Sequence, residues 1–136
     1  MTESRMRARV VRALRLLHAV SVENPACPGT PDVNYVEGWL ELKQLHRWPA
    51  AEDTVVQVPH FTQQQRTWLL QRIERGGNAH VLLQIGNEWL LLPGLEAATI
   101  LGRVPKQRLR QSALQQWHGH QELEKEIVKC LSKPAT

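Results

Sequence analysis

"GTPDVNYVEGWLELKQ", residues 29 to 44, is the stretch on which the reading of this 136-residue chain turns. It reads as two short strands, about 32–36 and 39–44, joined by Glu37-Gly38, a two-residue loop ending in glycine that suits a tight hairpin. Side chains two apart on a strand share a face, so Glu41 and Lys43 project together, while Leu40, Leu42 and Trp39 serve packing. The nine-residue offset between Asp32 and Glu41, folded through such a hairpin, sets Asp32 nearly opposite Glu41. Two carboxylates that close repel each other unless a cation sits between them. Mg²⁺ or Mn²⁺ fits, because both are hard cations that take oxygen ligands. Lys43 beside them can orient or help deprotonate a water and can counter charge building on a phosphate. The competing reading makes Glu41 and Lys43 the solvated face of an edge strand, since E-x-K is common on surfaces.

Outward from the hairpin, residues 3–17 carry Met6, Val10, Ala13, Leu14 and Leu17 at helical spacing, with Arg5, Arg9 and Arg12 on an adjacent face. Residues 18–24 look like a strand, which "PACPGTP" then breaks. Residues 45–60 read as a loop with Pro49 and Pro59 and no core element. In "TQQQRTWLLQRIERGG", Thr62 can be the N-cap with Gln65 three residues on, and Gly76-Gly77 can close the helix. "NAHVLLQIG" and "EWLLLPG" are two more strands around Gly86-Asn87, and residues from about 95 to 131 read as helical with a break at Pro105. The expected class is therefore α/β, a mixed central β-sheet flanked by α-helices in the order α-β-β-β-α-β-β-α.

A chain of this length makes one domain. There is no run of about eighteen apolar residues, which excludes a membrane-spanning helix, and the Arg-rich start lacks the apolar core of a secretory signal. Cys27 and Cys130 stand in no metal-ligand spacing, which suits a reducing, cytoplasmic setting. The formal net charge is +4, and residues 1–20, with Arg5, Arg7, Arg9, Arg12 and Arg15 against Glu3, account for the whole excess. Arg103, Lys106, Arg108 and Arg110 form a second uncompensated cluster. Such clusters serve either phosphate-backbone binding or plain solubility.

Pro31-Asp32 followed after eight residues by Glu41-Leu42-Lys43 resembles the signature of the PD-(D/E)xK nuclease superfamily. "PGTPDV" and the later "FTQQQRTWLLQRIERGGNAHVLL" are similar to its VRR-NUC branch and to small phage nucleases resembling Holliday-junction resolvases. There a G-x-P-D strand, an E-x-K strand and a Q-x-x-W helix recur in that order. The resemblance covers about residues 1–92 and leaves 93–136 as an unmatched, helical C-terminal extension. It implies a restriction-endonuclease-like core in which Asp32, Glu41 and the backbone carbonyl of Leu42 hold Mg²⁺ or Mn²⁺, with Lys43 as the catalytic lysine. Gln65, three before Trp68, matches the family's helical glutamine near the active site, and the capping role remains open beside it. A further acid is expected from the first helix. Glu3 is the candidate, by helical spacing on the core-facing Val10/Leu14 side, and Glu23 on the following strand is its rival.

Two functions from different classes follow. One is a metal-dependent DNA endonuclease, structure-selective because the chain is too small to carry a sequence-reading domain. Branched DNA such as a Holliday junction, cut by a homodimer with one site per strand, fits that reading. The other is a nucleic-acid-binding or recruitment protein without catalysis, built on the same fold. The intact Asp32, Glu41 and Lys43 favour the enzyme. Arg5, Arg9 and Arg12 are expected to meet phosphates and not bases.

Overall fold

A computed structural model describes residues 2–132. The first helix, α1 (Glu3–Ala13), starts where Thr2 accepts a hydrogen bond from the Arg5 backbone N–H at 3.2 Å, an N-cap in the ordinary sense. Met6, Val10 and Ala13 make its buried stripe. The regular helix ends sooner than the pattern over 3–17 suggests. Arg15–Leu17 tighten into a 3₁₀ turn, and His18 stops it in the left-handed region at φ 54°.

Six strands follow: β1 (Val20–Ser21), β2 (Val33–Tyr35), β3 (Gly38–Leu45), β4 (Ala79–Ile85), β5 (Glu88–Pro93) and β6 (Gln115–His118). They lie in one sheet in chain order, antiparallel throughout except for the central β3–β4 pair, which is parallel. The parallel pair needs a long crossover, supplied by the loop after β3 and by α2 (Gln63–Glu74). After β5 come α3 (Gly94–Ile100) and α4 (Lys106–Ser112), and α5 (Gly119–Leu131) follows β6. The class is α/β, with helices on both faces of a mixed sheet.

Each face has its own core. α1 and α5 cover one, where Met6, Val10 and Leu14 meet Leu40, Leu42, Leu82, Leu91 and Trp89, with Leu123, Ile127 and Leu131 from α5. α2, α3 and α4 cover the other, around Val81, Leu83, Leu90, Leu92, Leu69, Leu101 and Leu109. Strand alternation decides which residue goes where. On β3, Leu40 and Leu42 face the first core, and Trp39, Glu41, Lys43 and Leu45 face the second.

The structure corrects the sequence reading in three places. The hairpin turn is Val36-Glu37, one residue earlier than expected, with Tyr35 paired to Gly38 and Val33 to Leu40. The loop after β3 is not free of core: Val56, Val58 and Phe61 are buried in it, and the Val56 N–H donates to the Val104 carbonyl. The stretch beyond residue 93 is not all helix and is not an appendage. β6 extends the sheet and α5 closes the first core. Only Trp117 of β6 is buried, so the strand shows no alternation to read; pairing of Trp117 with Trp89 is what defines it.

A buried arginine joins the helices of the second face. Arg66 on α2 donates to the carbonyls of Ala98 and Leu101 and lies over the Phe61 ring at 4.5 Å. Those carbonyls stand at the end of α3, where helix geometry leaves them without partners.

Candidate active site

Register brings the acids together. With Val33 opposite Leu40 in an antiparallel pair, the next position back sets Asp32 opposite Glu41, both on the α2 side of the sheet. Gly29 positions the approach to Asp32. It has φ +95°, and a Cβ there would lie 2.5 Å from the Gln64 carbonyl oxygen. The segment leading into Pro31-Asp32 thus rests on the first turn of α2, and only glycine combines that backbone with that contact.

A concave site of about 350 Å³ results. Asp32, Glu41, Leu42 and Lys43 form its floor, Gln65 and His60 one wall, and Glu3 and Arg7 of α1 the other. Asp32 Oδ2 accepts the Leu42 backbone N–H at 2.9 Å. Glu41 is 1% exposed, and its Oε2 is buried without a partner among the described residues. Burial, followed by the hydrogen bond and the charge of Asp32, pushes the Glu41 carboxyl up to about 10, against the opposing pull of Lys43. Lys43 is nearly buried. Its ammonium donates to the His60 carbonyl at 2.8 Å and lies 5.7 Å from the Phe61 ring centre.

The donor set suits a hard divalent cation. It offers two facing carboxylates, one with an orphaned buried oxygen, on a rigid strand pair that opens to a polar cavity. The described residues do not bring a third acid, histidine or cysteine into a set with them. Glu3 lines the same cavity but is exposed, not core-facing as its spacing suggests. Glu23 is 84% exposed at its side chain and bonds to Arg7 at 3.3 Å.

Gln65 closes the helix cap and also lines the cavity. Its Oε1 accepts the Thr62 N–H at 2.9 Å while Thr62 Oγ1 accepts the Gln65 N–H, a complete capping box, and its side chain lines the cavity as well. Trp68, one turn further, meets Trp39 edge-on at 5.2 Å, and the Arg72 guanidinium covers the Trp68 ring at 4.4 Å.

The residue that sequence reasoning missed is Arg7. Its Nη2 donates to Asp32 Oδ1 at 2.8 Å, and its Nη1 reaches Glu23 at 3.3 Å and Ser21 Oγ at 3.5 Å. The available signal was its i+4 spacing from Glu3, which places both on one side of α1. Of the arginines expected to meet phosphate, Arg5 and Arg12 are exposed, but Arg9 turns to Glu124 of α5 at 3.6 Å and is partly covered. The second basic cluster is likewise partly compensated, since Arg110 pairs with Glu88 at 2.6 Å and Arg108 bonds to Ser112. No described helix is long and apolar enough to cross a membrane. Compared with known proteins, the chain matches no family model and no curated protein.

Proposed function

We propose that this protein is a divalent-metal-dependent deoxyribonuclease of the PD-(D/E)xK type, acting on branched or otherwise structured DNA. One observation carries the reading. Asp32 and Glu41 converge on a concave, polar site beside Lys43, and the buried Oε2 of Glu41 has no partner among the described residues. A fully buried carboxylate oxygen left bare costs about 1–3 kcal/mol, a cost that a site keeps where a cation can offset it.

Asp32, Glu41 and the Leu42 carbonyl would hold Mg²⁺ or Mn²⁺. Bound there, the ion supplies a more acidic water and neutralises charge on the phosphate oxygens. The chain's own residues do the rest. Lys43, tethered to the His60 carbonyl, presents a positive charge on the same face as Glu41, where it orients a water and meets charge developing on the scissile phosphate. The Gln65 amide, held by its cap, lines the opposite wall and can accept or donate to substrate. The exposed Arg5 and Arg12 on α1 offer charge to the flanking phosphates.

The test is incubation with Mg²⁺ or Mn²⁺ and a panel of labelled linear, flapped and four-way DNAs, with Asp32→Asn in parallel. Cleavage of branched substrates by the wild type and none by the variant is the expected result. Binding without cleavage in every metal would instead mark the chain as a nucleic-acid-binding protein without catalysis.

A further inference from the structure

Each of the two oxygens of Asp32 already has a donor. Oδ2 accepts the Leu42 backbone N–H, a bond built into the hairpin. Oδ1 accepts Arg7 Nη2 at 2.8 Å. A ligand that must coordinate through Oδ1 therefore meets a guanidinium already in place. That guanidinium cannot leave by losing its proton, because arginine stays charged. It can leave only by moving, and a second place is prepared for it. Its other arm already touches the Glu23 carboxylate at 3.3 Å and Ser21 Oγ at 3.5 Å, both looser than the bond to Asp32. The Glu23 side chain is 84% exposed and bonds to nothing else among the described residues, whereas that of Asp32 is 22% exposed. The grip is firm on Asp32 and loose on the anchor.

We propose that Arg7 is the built-in counter-cation of the acid pair: its guanidinium holds Asp32 in the metal-free protein, a divalent cation displaces it, and Glu23 with Ser21 receives it. The inference rests on the metal-site reading above and adds a residue and a direction to it. Glu23 thereby becomes the anchor of Arg7 and not a metal ligand. Because coupling between two cations competing for one carboxylate is reciprocal, whatever loosens Arg7 from Asp32 must tighten the metal, and whatever takes away its second place must weaken it.

Mn²⁺ binding to the full chain without DNA, followed by the electron paramagnetic resonance signal of the free ion, tests this at one pH and salt concentration. Arg7→Gln should bind Mn²⁺ more tightly by about tenfold, in the usual range for coupled sites. Glu23→Gln should act oppositely and weaken binding about threefold, since the displaced arginine loses its anchor. The double variant should match Arg7→Gln, because Glu23 acts only through Arg7. Should Arg7→Gln not fold, Arg7→Lys carries the same test, since a single ammonium cannot span both carboxylates. It should tighten binding to a smaller extent. Asp32→Asn separates the two levels of inference. Binding that Asp32→Asn abolishes but Arg7→Gln leaves unchanged or weakens overturns the role of Arg7 alone. No binding by either the wild type or Arg7→Gln overturns the metal site and the proposal together.

Discussion

Two carboxylates on this sheet, Glu88 on β5 and Glu41 on β3, have opposite surroundings. Both oxygens of Glu88 are satisfied: Oε1 accepts from the Trp48 indole at 3.1 Å and Oε2 from Arg110 at 2.6 Å. Arg110 and Lys106 also lie over the Trp48 ring, at 5.3 Å and 5.1 Å. Burial would raise the Glu88 carboxyl, but the bonds from Arg110 and Trp48 outweigh it and hold it below the usual carboxylate range. Glu41 is more deeply buried, faces another acid, and keeps one oxygen bare. Its carboxyl is driven the other way. Glu88 is a finished structural cluster, in which charge is matched by donors of this chain. The Asp32–Glu41 pair keeps one buried oxygen without a donor and one carboxyl that burial and the neighbouring acid hold back from ionising, and an added cation relieves both.

The largest expected effect lies in the chemistry of the unfinished site. Under the proposed function, Lys43→Ala should lower cleavage by about three orders of magnitude and leave DNA affinity within about threefold of wild type. Single-turnover cleavage of labelled branched DNA, beside a binding titration in Ca²⁺, reads both numbers. Retained cleavage would make Glu41 and Lys43 a structural pair like the cluster at Glu88.

Substituting each acid by its amide should then separate the two clusters by sign. Glu88→Gln removes charge-assisted bonds from Arg110 and Trp48 and should destabilise the fold by about 2 kcal/mol. Glu41→Gln should stabilise the metal-free protein by about 1 kcal/mol, because an amide can donate to Asp32 without carrying a charge. The pH dependence follows from the folded carboxyl standing above the ordinary 4.5. The stability Glu41 contributes is complete below 4.5 and is lost as pH rises toward about 10. The gap between Glu41→Gln and wild type should therefore widen from pH 5 to pH 8 in urea melts without metal. A gap that narrows would mean Glu41 is ionised in the fold, as Glu88 is.

His80 on β4 sharpens the comparison with a base. Burial lowers it from 6.5 to about 4, and its Nδ1 has no partner among the described residues. The unfolded chain therefore takes up this proton first. Stability should fall below pH 6.5 by about 1.4 kcal/mol per pH unit from this residue while it stays neutral in the fold. His80→Gln should flatten that acid limb, measured as denaturation midpoint between pH 5.5 and 7.5, and change little above it.

The smallest effect belongs to α1. Replacing Arg5 and Arg12 by Gln should reduce the salt slope of duplex DNA binding by about 0.9 for each phosphate that is no longer neutralised. Arg9→Gln should do less, because Arg9 is engaged with Glu124. Equal effects at all three positions would mean the Glu124 pair opens on binding.

Much of this was legible in local sequence because it depends on short-range geometry. The α2 cap needs only Thr62 and Gln65 three apart, and the facing acids need only a hairpin between Asp32 and Glu41. The one-residue error in the turn moves the pairing by two: a Glu37-Gly38 turn would set Asp32 opposite Lys43, and the Val36-Glu37 turn sets it opposite Glu41. A shift of two keeps the same face, so the acids stay neighbours in either register. β6 and the buried valines of the loop after β3 were not legible. Their short apolar patterns have no period, and burial there depends on partners 28 residues away at Trp89 and 48 away at Val104. Arg7 is the sharpest case. Residues 1–20 hold five arginines that composition cannot tell apart, and their fates differ by which element stands opposite. α5 presents Glu124 to Arg9, the edge of the sheet presents Asp32 and Glu23 to Arg7, and solvent meets Arg5 and Arg12. Sequence spacing sets the direction in which a side chain leaves its helix, but an ion pair forms only where tertiary packing brings an opposite charge within about 4 Å.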